Sequence, residues 1–182
     1  MARKAPEPVQ VVKQRRDAAL NALVGGVPYI NFMGISFDRR GDELTGVLSF
    51  DEKLIGNPIL PAIHGGVTAA FLEVTAVISL SWAYIWEDFE SGALDVEALA
   101  AGNLPRLPKT IDFTVDYLRS GLPRDAYARA TITRAGRPYA SVQAEASQDN
   151  KDRPIAQATA PFLMPGPDQA NNRHGEFAPR PH

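Results

Sequence analysis

The stretch Leu54–Trp86 is the most apolar part of the chain, and Glu73 is its only formally charged residue. Glycine and proline are absent from Val67 to Trp86, which predicts one helix of roughly 30 Å from about Gly66 to about Trp86. A helix that is apolar nearly all round is covered on most sides. A central Glu would be costly in lipid, so we expect a core helix of a soluble, cytoplasmic protein that has no membrane partner.

Composition excludes several classes of function. The chain has 182 residues, of which 45% are apolar and 22% charged, with a net charge of −2, as in an ordinary soluble domain. No basic block alternates with aromatic residues, so a nucleic-acid partner is not expected. There is no cysteine, and His174 and His182 lie in a Pro/Asn-rich tail. We therefore expect no thiolate chemistry, no metal site and no cofactor.

One domain accounts for most of the chain. Residues 1–28 form a basic segment with a short helix that Gly25 and Gly26 end, and they lack the apolar core of a secretory signal. Residues 29–164 form the folded domain, and 165–182 are too polar to fold alone. Residues 87–108 carry five acids before Arg106, which predicts a surface insertion with one helical turn at Val96–Ala100.

Strand patterns lie on both sides of the predicted helix. Two strands within Ile30–Phe50 flank a turn at Arg40–Asp42, and four alternating patterns follow residue 108. The last three of these have alanine-rich inner faces, which let a helix approach closely. The inward residues of the first are predicted to be Ile111, Phe113, Val115 and Tyr117. The expected fold is α+β, with six antiparallel strands curved round the long helix.

Three motifs in order resemble one family. They are "PAIHGGVTAAFLEVTA", "TIDFTVDYLRSG" and the last hairpin, "SVQAEASQDNKDRPIAQATAPFLM". Together they resemble the hotdog-fold acyl-CoA thioesterases of the phenylacetyl-CoA thioesterase-like (PaaI-type) family, over about Tyr29–Met164. That family has His-Gly-Gly at the start of the central helix and an acid nine residues after the His, as His64 and Glu73 are here. The resemblance implies hydrolysis of a coenzyme A thioester.

The catalytic residues follow from the resemblance and from physical chemistry. A helix N-terminus has unpaired N–H groups that favour negative charge, and the resemblance makes the Gly65 N–H the main oxyanion donor, with Gly66 beside it. A charged side chain is almost never buried alone, so Glu73 has a partner from another segment or faces a pocket. We expect it to act as general base or nucleophile. The alternative is a purely structural carboxylate that is hydrogen-bonded to the backbone or to a strand threonine. His64 is expected to donate to a backbone carbonyl, and Asn57 stands near the family's usual Asn.

Further residues are candidates for binding the substrate. Family members with Glu often have a hydroxyl four residues later, where this chain has Val77, so the hydroxyl is expected from Thr68 or Thr75. Candidate contacts to the substrate and to the CoA phosphates are Thr68, Arg119, Ser120, Gly121, Arg134, Gly136 and Arg137. The resemblance also implies self-association as a dimer or tetramer, with Glu73 of one subunit facing His-Gly-Gly of the other.

Other functions stay open on sequence alone. A hotdog dehydratase needs a histidine before the loop at residues 57–66, and none precedes His64. A non-catalytic acyl-CoA-binding module is the other alternative, because a fold does not establish an activity. The acyl group is expected to be aryl or of medium chain length. Four aromatic residues of the predicted helix either line the pocket for the acyl group or belong to the core: Phe71, Trp82, Tyr84 and Trp86.

Overall fold

The computed structural model describes residues 7–90, 94–136 and 138–166, without the side chains of 86–90. The helices are α1 (Val9–Gly25), α2 (Pro28–Met33), α3 (Gly65–Glu90) and α4 (Val96–Ala100), with a 3-10 turn at Glu52–Leu54. The strands are β1 (Ile35–Arg40), β2 (Glu43–Leu48), β3 (Ile55–Asn57), β4 (Ala62–Ile63), β5 (Lys109–Thr110), β6 (Thr114–Tyr117), β7 (Ala126–Arg134), β8 (Tyr139–Ser147) and β9 (Ala156–Leu163).

Seven strands form one antiparallel sheet in the order β1-β2-β7-β8-β9-β5, and β6 pairs with β9 beside β5. Strands β3 and β4 form a separate two-stranded ribbon that leads into α3. The α+β hotdog fold predicted from the sequence is confirmed. The six predicted strands are all present, and the third of them is divided into β5 and β6.

Helix α3 packs against β2, β7, β8 and β9. By length and composition alone, Gly65–Ile85 could span a membrane, but 56% of the 18-residue apolar window within it is buried inside the domain. The sheet face beneath it is made of small residues. The alanines on that face that are at most 3% exposed are Ala126, Ala128, Ala140, Ala144, Ala146, Ala156, Ala158 and Ala160.

One part of the N-terminal region differs from the prediction. Ile30–Met33 was expected to begin a strand, but it belongs to helix α2. Pro28 stands in the first turn of this helix, and Ile30 and Met33, three residues apart, are both buried. Gly34 then ends α2 with a φ of 70°, which a residue with a Cβ rarely adopts.

A one-residue bulge changes which side chains of the third predicted strand face inward. Lys109 and Thr110 pair with Leu163 and Phe162, but Thr114 pairs with Thr159, so one extra residue lies between β5 and β6. An extra residue reverses the alternation of side chains on one side of it. Ile111, predicted inward, is therefore 52% exposed, and Thr110 pairs on the inner side with Phe162.

The insertion is more than a surface loop. The helical turn predicted at Val96–Ala100 is confirmed as α4, which packs against α1. Leu99 is only 1% exposed, and the side chain of Leu104 covers Gly26 so closely that a Cβ there would lie 2.7 Å from it. The N-terminal helix and the insertion thus form one small helical layer.

Gly46 on β2 lies close against α3. A Cβ at Gly46 would lie 2.6 Å from Thr75 Oγ1 and 3.2 Å from the Phe71 ring. We expect Gly46→Ala to lower the free energy of unfolding by roughly 1–3 kcal/mol, because overpacking forces the helix from the sheet. Urea denaturation measures this change. Gly25→Ala is the matched control, since a Cβ at Gly25 meets nothing within 4 Å. Equal stability of the two variants would show that the helix does not pack this closely.

Candidate active site

Backbone hydrogen bonds to two other segments anchor the residues just before α3. The His64 N–H donates to the Leu54 carbonyl at 2.8 Å, and the Ile63 N–H donates to the Gly121 carbonyl at 2.8 Å. Gly56 of β3 lies against His64, where a Cβ would meet the histidine backbone at 2.8 Å. The "NPILPAIHGG" loop is therefore anchored, and the first helical residue, Gly65, has a fixed position.

His64 acts as the N-cap of α3. Its Nδ1 accepts the Gly66 N–H at 2.9 Å, which satisfies one of the N–H groups left free at a helix start. An accepting Nδ1 carries no proton, so the neutral ring has its proton on Nε2. The expectation that this ring donates to a backbone carbonyl is not met, because the sequence did not show that the ring would fold over the first turn.

The Gly65 N–H has no acceptor among the residues that the structure describes. Gly65 borders an open pocket of about 400 Å³. Five of the predicted site residues meet at this pocket, which is also lined by Tyr117, Leu118, Ala62, Ile63 and Ile155. The five are Gly65, Thr68, Arg119, Ser120 and Gly121. A free N–H at a helix start, beside a pocket with an arginine, is suited to bind an oxyanion.

Glu73 is half-buried, and its partner is a strand hydroxyl. Thr110 Oγ1 donates to Glu73 Oε1 at 2.7 Å, and no Lys or Arg within the described ranges forms an ion pair with this carboxylate. The predicted hydroxyls are used elsewhere. Thr75 donates to the Phe71 carbonyl at 2.8 Å, and Thr68 to the His64 carbonyl at 3.5 Å. The expected helix hydroxyls are thus not the partners of Glu73. A strand threonine was expected only as the partner of a structural Glu73, and the sequence did not show which threonine it is.

Other candidate residues lie away from this pocket. Asn57 Oδ1 accepts the N–H groups of Ile59 and Leu60, so it supports the loop that leads to His64. Arg134 and Gly136 lie in the β7–β8 turn, near the far end of α3, where the Tyr84 hydroxyl is 3.5 Å from the Gly136 carbonyl. Arg137 lies outside the described residues. Phe71 and Trp82 are buried in the core, and the Trp86 side chain is not described.

Comparison with known proteins decides the family. A family model described as the acyl-CoA thioesterase N-terminal domain matches residues 57–163, which is more than half of the chain. The chain belongs to this family of acyl-CoA thioesterases. It is a thioester hydrolase, and the matched region runs from Asn57 through the His-Gly-Gly turn to the end of β9.

Individual relatives agree with that assignment. The medium/long-chain acyl-CoA thioesterase YigI of Salmonella typhimurium is 27% identical over 76% of this chain and 86% of its own length. A Shewanella oneidensis protein related to the thioesterase superfamily has a TM-score of 0.60 at 26% identity, covering 88% of this chain and all of its own. The fold alone is shared with a phenylacetic acid degradation-related protein of Ralstonia eutropha JMP134, at 20% identity and a TM-score of 0.57 over 80% and 99% of the two chains.

Sequence reasoning missed two residues that touch this site. Thr110 was placed on the outer face of its strand and reaches Glu73 only because of the bulge. Tyr117 was predicted to face inward, which its pairing with the buried Ala156 bears out, but it was not a candidate site residue. Its hydroxyl donates to the Gly65 carbonyl at 2.8 Å. A signal for both was present, since they stand in the motif "TIDFTVDYLRSG" that carries part of the resemblance.

The cap geometry predicts how substitutions of His64 behave. Asn is a good N-cap whose side-chain oxygen can accept the Gly66 N–H, so His64→Asn should keep thioesterase turnover within about threefold of wild type. His64→Leu fills similar space without an acceptor, and we expect roughly tenfold lower turnover and about 1 kcal/mol lower stability. CoA release and urea denaturation measure the two effects. Equal loss in both variants would show that the imidazole itself takes part in the reaction.

Proposed function

We propose that Glu73 is the catalytic carboxylate, and that it acts on a thioester whose carbonyl oxygen is bound by the Gly65 N–H of the partner subunit. The observation that carries this proposal is the Thr110–Glu73 hydrogen bond of 2.7 Å. A half-buried carboxylate that is held by one hydroxyl, and by no cation among the described side chains, keeps its second oxygen available for chemistry.

The reaction needs a base or nucleophile and an oxyanion site. Glu73 takes a proton from water as the water attacks the thioester carbon, or it attacks that carbon itself to form an anhydride that water then cleaves. The carbonyl oxygen becomes an oxyanion facing the Gly65 N–H and the positive end of α3. The C–S bond then breaks, and the CoA sulfur leaves with a proton. Either route consumes one water and yields the free acid and CoA.

Spacing along α3 favours a site shared by two subunits. Gly65 and Glu73 are about 12 Å apart along the helix axis, and Glu73 is not among the residues that line the pocket at Gly65. A single thioester group is short compared with that separation, because reacting atoms approach to about 3–3.5 Å. A second protomer that presents its Gly65 to this Glu73 removes the mismatch.

The two edges of the sheet differ in a way that supports self-association. Strand β1 exposes charges such as Asp38 and Arg40, which protect an edge from pairing. The β5–β6 edge instead exposes large apolar side chains on and beside it, and such clusters mark interaction sites. They are Ile111, Tyr117, Leu118 and Leu122, with Ile59 and Leu60 in the loop before α3. We propose that two protomers form a homodimer along this edge.

The substrate is proposed to be a medium-chain or longer acyl-CoA in preference to an aryl-CoA. The relative YigI is named for medium and long chains. On α3, Val77 and Tyr84 are half-buried and lie close to the helical stripe of Glu73, four and eleven residues on. An alkyl chain could follow that stripe from the thioester.

Arg119, whose Nη1 donates to the Pro154 carbonyl at 2.6 Å, is proposed to contact CoA. We also propose that the protein is cytoplasmic.

Replacement of the proposed catalytic carboxylate tests this function. Thiol release from aryl-CoA and from C4 to C16 acyl-CoAs is followed for the wild type and for Glu73→Gln, which keeps the shape of the side chain but removes the charge. We expect the wild type to prefer C8 or longer chains, and the variant to lose at least about 10²-fold in kcat. Circular dichroism and urea denaturation confirm that the variant is folded.

The control is Glu43→Gln, an exposed carboxylate on β2 that pairs with Arg129 at 3.2 Å. Its turnover should match the wild type, because surface pairs contribute little. If the Glu73→Gln variant turned over substrate as fast as the wild type, the assignment of Glu73 as the catalytic carboxylate would be overturned. Binding of acyl-CoA without thiol release by the wild type would favour the non-catalytic binding module instead.

A further inference from the structure

Among the first three backbone N–H groups at the start of α3, one has no acceptor in the described residues. The peptide between Ile63 and His64 donates its N–H to the Leu54 carbonyl at 2.8 Å. The His64 carbonyl, which belongs to the next peptide, accepts the Thr68 N–H at 3.1 Å. The N–H of that same peptide is the Gly65 N–H, which has no acceptor in the part of the chain that the structure describes. One donor is therefore left available between fixed neighbours.

The peptide between Gly65 and Gly66 is held from two sides. Its N–H donates to His64 Nδ1 at 2.9 Å, and its carbonyl accepts the Tyr117 hydroxyl at 2.8 Å. The Tyr117 ring lies against Gly65, since a Cβ on that glycine would be 3.3 Å from the ring. Two consecutive glycines have the widest choice of backbone conformations, so these two side-chain bonds add to the helical hydrogen bonds of α3 in holding this peptide.

We propose that Tyr117 is a positioning residue that fixes the direction of the Gly65 N–H. This inference rests on the proposed role of Gly65 as oxyanion donor. Tyr117 and His64 hold the peptide that follows Gly65, and the Thr68 N–H holds the peptide that precedes it. The two peptides meet at the Gly65 Cα, so together these bonds set the backbone torsions of Gly65 and with them the direction of its N–H. An oxyanion donor is most effective when its direction is set before the reaction, because no reorganisation is then needed in the transition state.

The position of Tyr117 on the fold supports a dedicated role. It is the last residue of β6 and pairs with Ala156, so the sheet fixes its backbone. The side chain is nevertheless 57% exposed within one subunit. The core of the subunit therefore does not account for an aromatic residue there, whereas the hydroxyl contact and the proposed dimer edge do. Its hydroxyl contacts the first carbonyl of the catalytic helix, which lies 52 residues away in sequence.

Tyr117→Phe tests the proposal because it removes only the hydroxyl. We expect kcat for the best acyl-CoA substrate to fall roughly 3- to 10-fold with KM changed less than about twofold, as for an interaction that acts mainly in the transition state. Exchange of the Gly66 amide hydrogen, measured by NMR on the full chain, should become faster. Tyr127→Phe is the control, because Tyr127 is an exposed tyrosine of β7 whose hydroxyl has no hydrogen bond in the described ranges.

The outcomes separate this proposal from the function on which it rests. An active wild type whose kcat and Gly66 exchange do not change in Tyr117→Phe would overturn the positioning role and leave the proposed function standing. An equal loss in Tyr127→Phe would also overturn it, because the effect would then not be specific to Gly65. A wild type that releases no CoA would overturn the proposed function itself, and the role of Tyr117 with it.

Discussion

The close approach of helix α3 to the sheet sets the position of every group in the site. Where α3 crosses β2, Gly46 leaves no room for even one Cβ beside Thr75, and alanines form most of the surface below the helix. Small residues give up some buried apolar area, but they bring the helix and strand backbones together. A side chain as short as that of Thr110 can therefore reach Glu73.

The neighbouring strands β5 and β6 contact helix α3 at two points. Thr110 on β5 contacts Glu73, eight residues after the start of α3, and Tyr117 on β6 contacts Gly65 at the start itself. The bulge between β5 and β6 is what lets both side chains point toward the helix, because it changes the alternation between them. The same two strands lie at the apolar edge of the sheet, so pairing with a second protomer would stabilise both contacts. Catalytic geometry and self-association are thus expected to depend on each other.

The sequence was informative where one pattern controlled the outcome. The uninterrupted apolar run predicted α3, the alternating alanines predicted β7 to β9, and the motif around His64 predicted the family. The bulge, the helix at Pro28–Met33 and the hydroxyl partner of Glu73 were missed. Each of these depends on tertiary contacts. One extra residue is invisible to an alternation pattern, and a six-residue helix has too few turns to show periodicity. The cap at His64 depends on where the ribbon β3–β4 places its ring.

A catalytic site shared between subunits is the central claim, and mixed dimers test it most directly. Subunits with Glu73→Gln and subunits with Gly65→Val, which puts a branched side chain at the oxyanion donor, are co-expressed with different tags, and the heterodimer is isolated. If each active site combines residues of both subunits, one active site of the heterodimer carries both substitutions and the other carries neither. The account predicts about half of the wild-type turnover per dimer, although each homodimeric variant is nearly inactive. An inactive heterodimer would show that Gly65 and Glu73 act within one subunit, which would contradict the account.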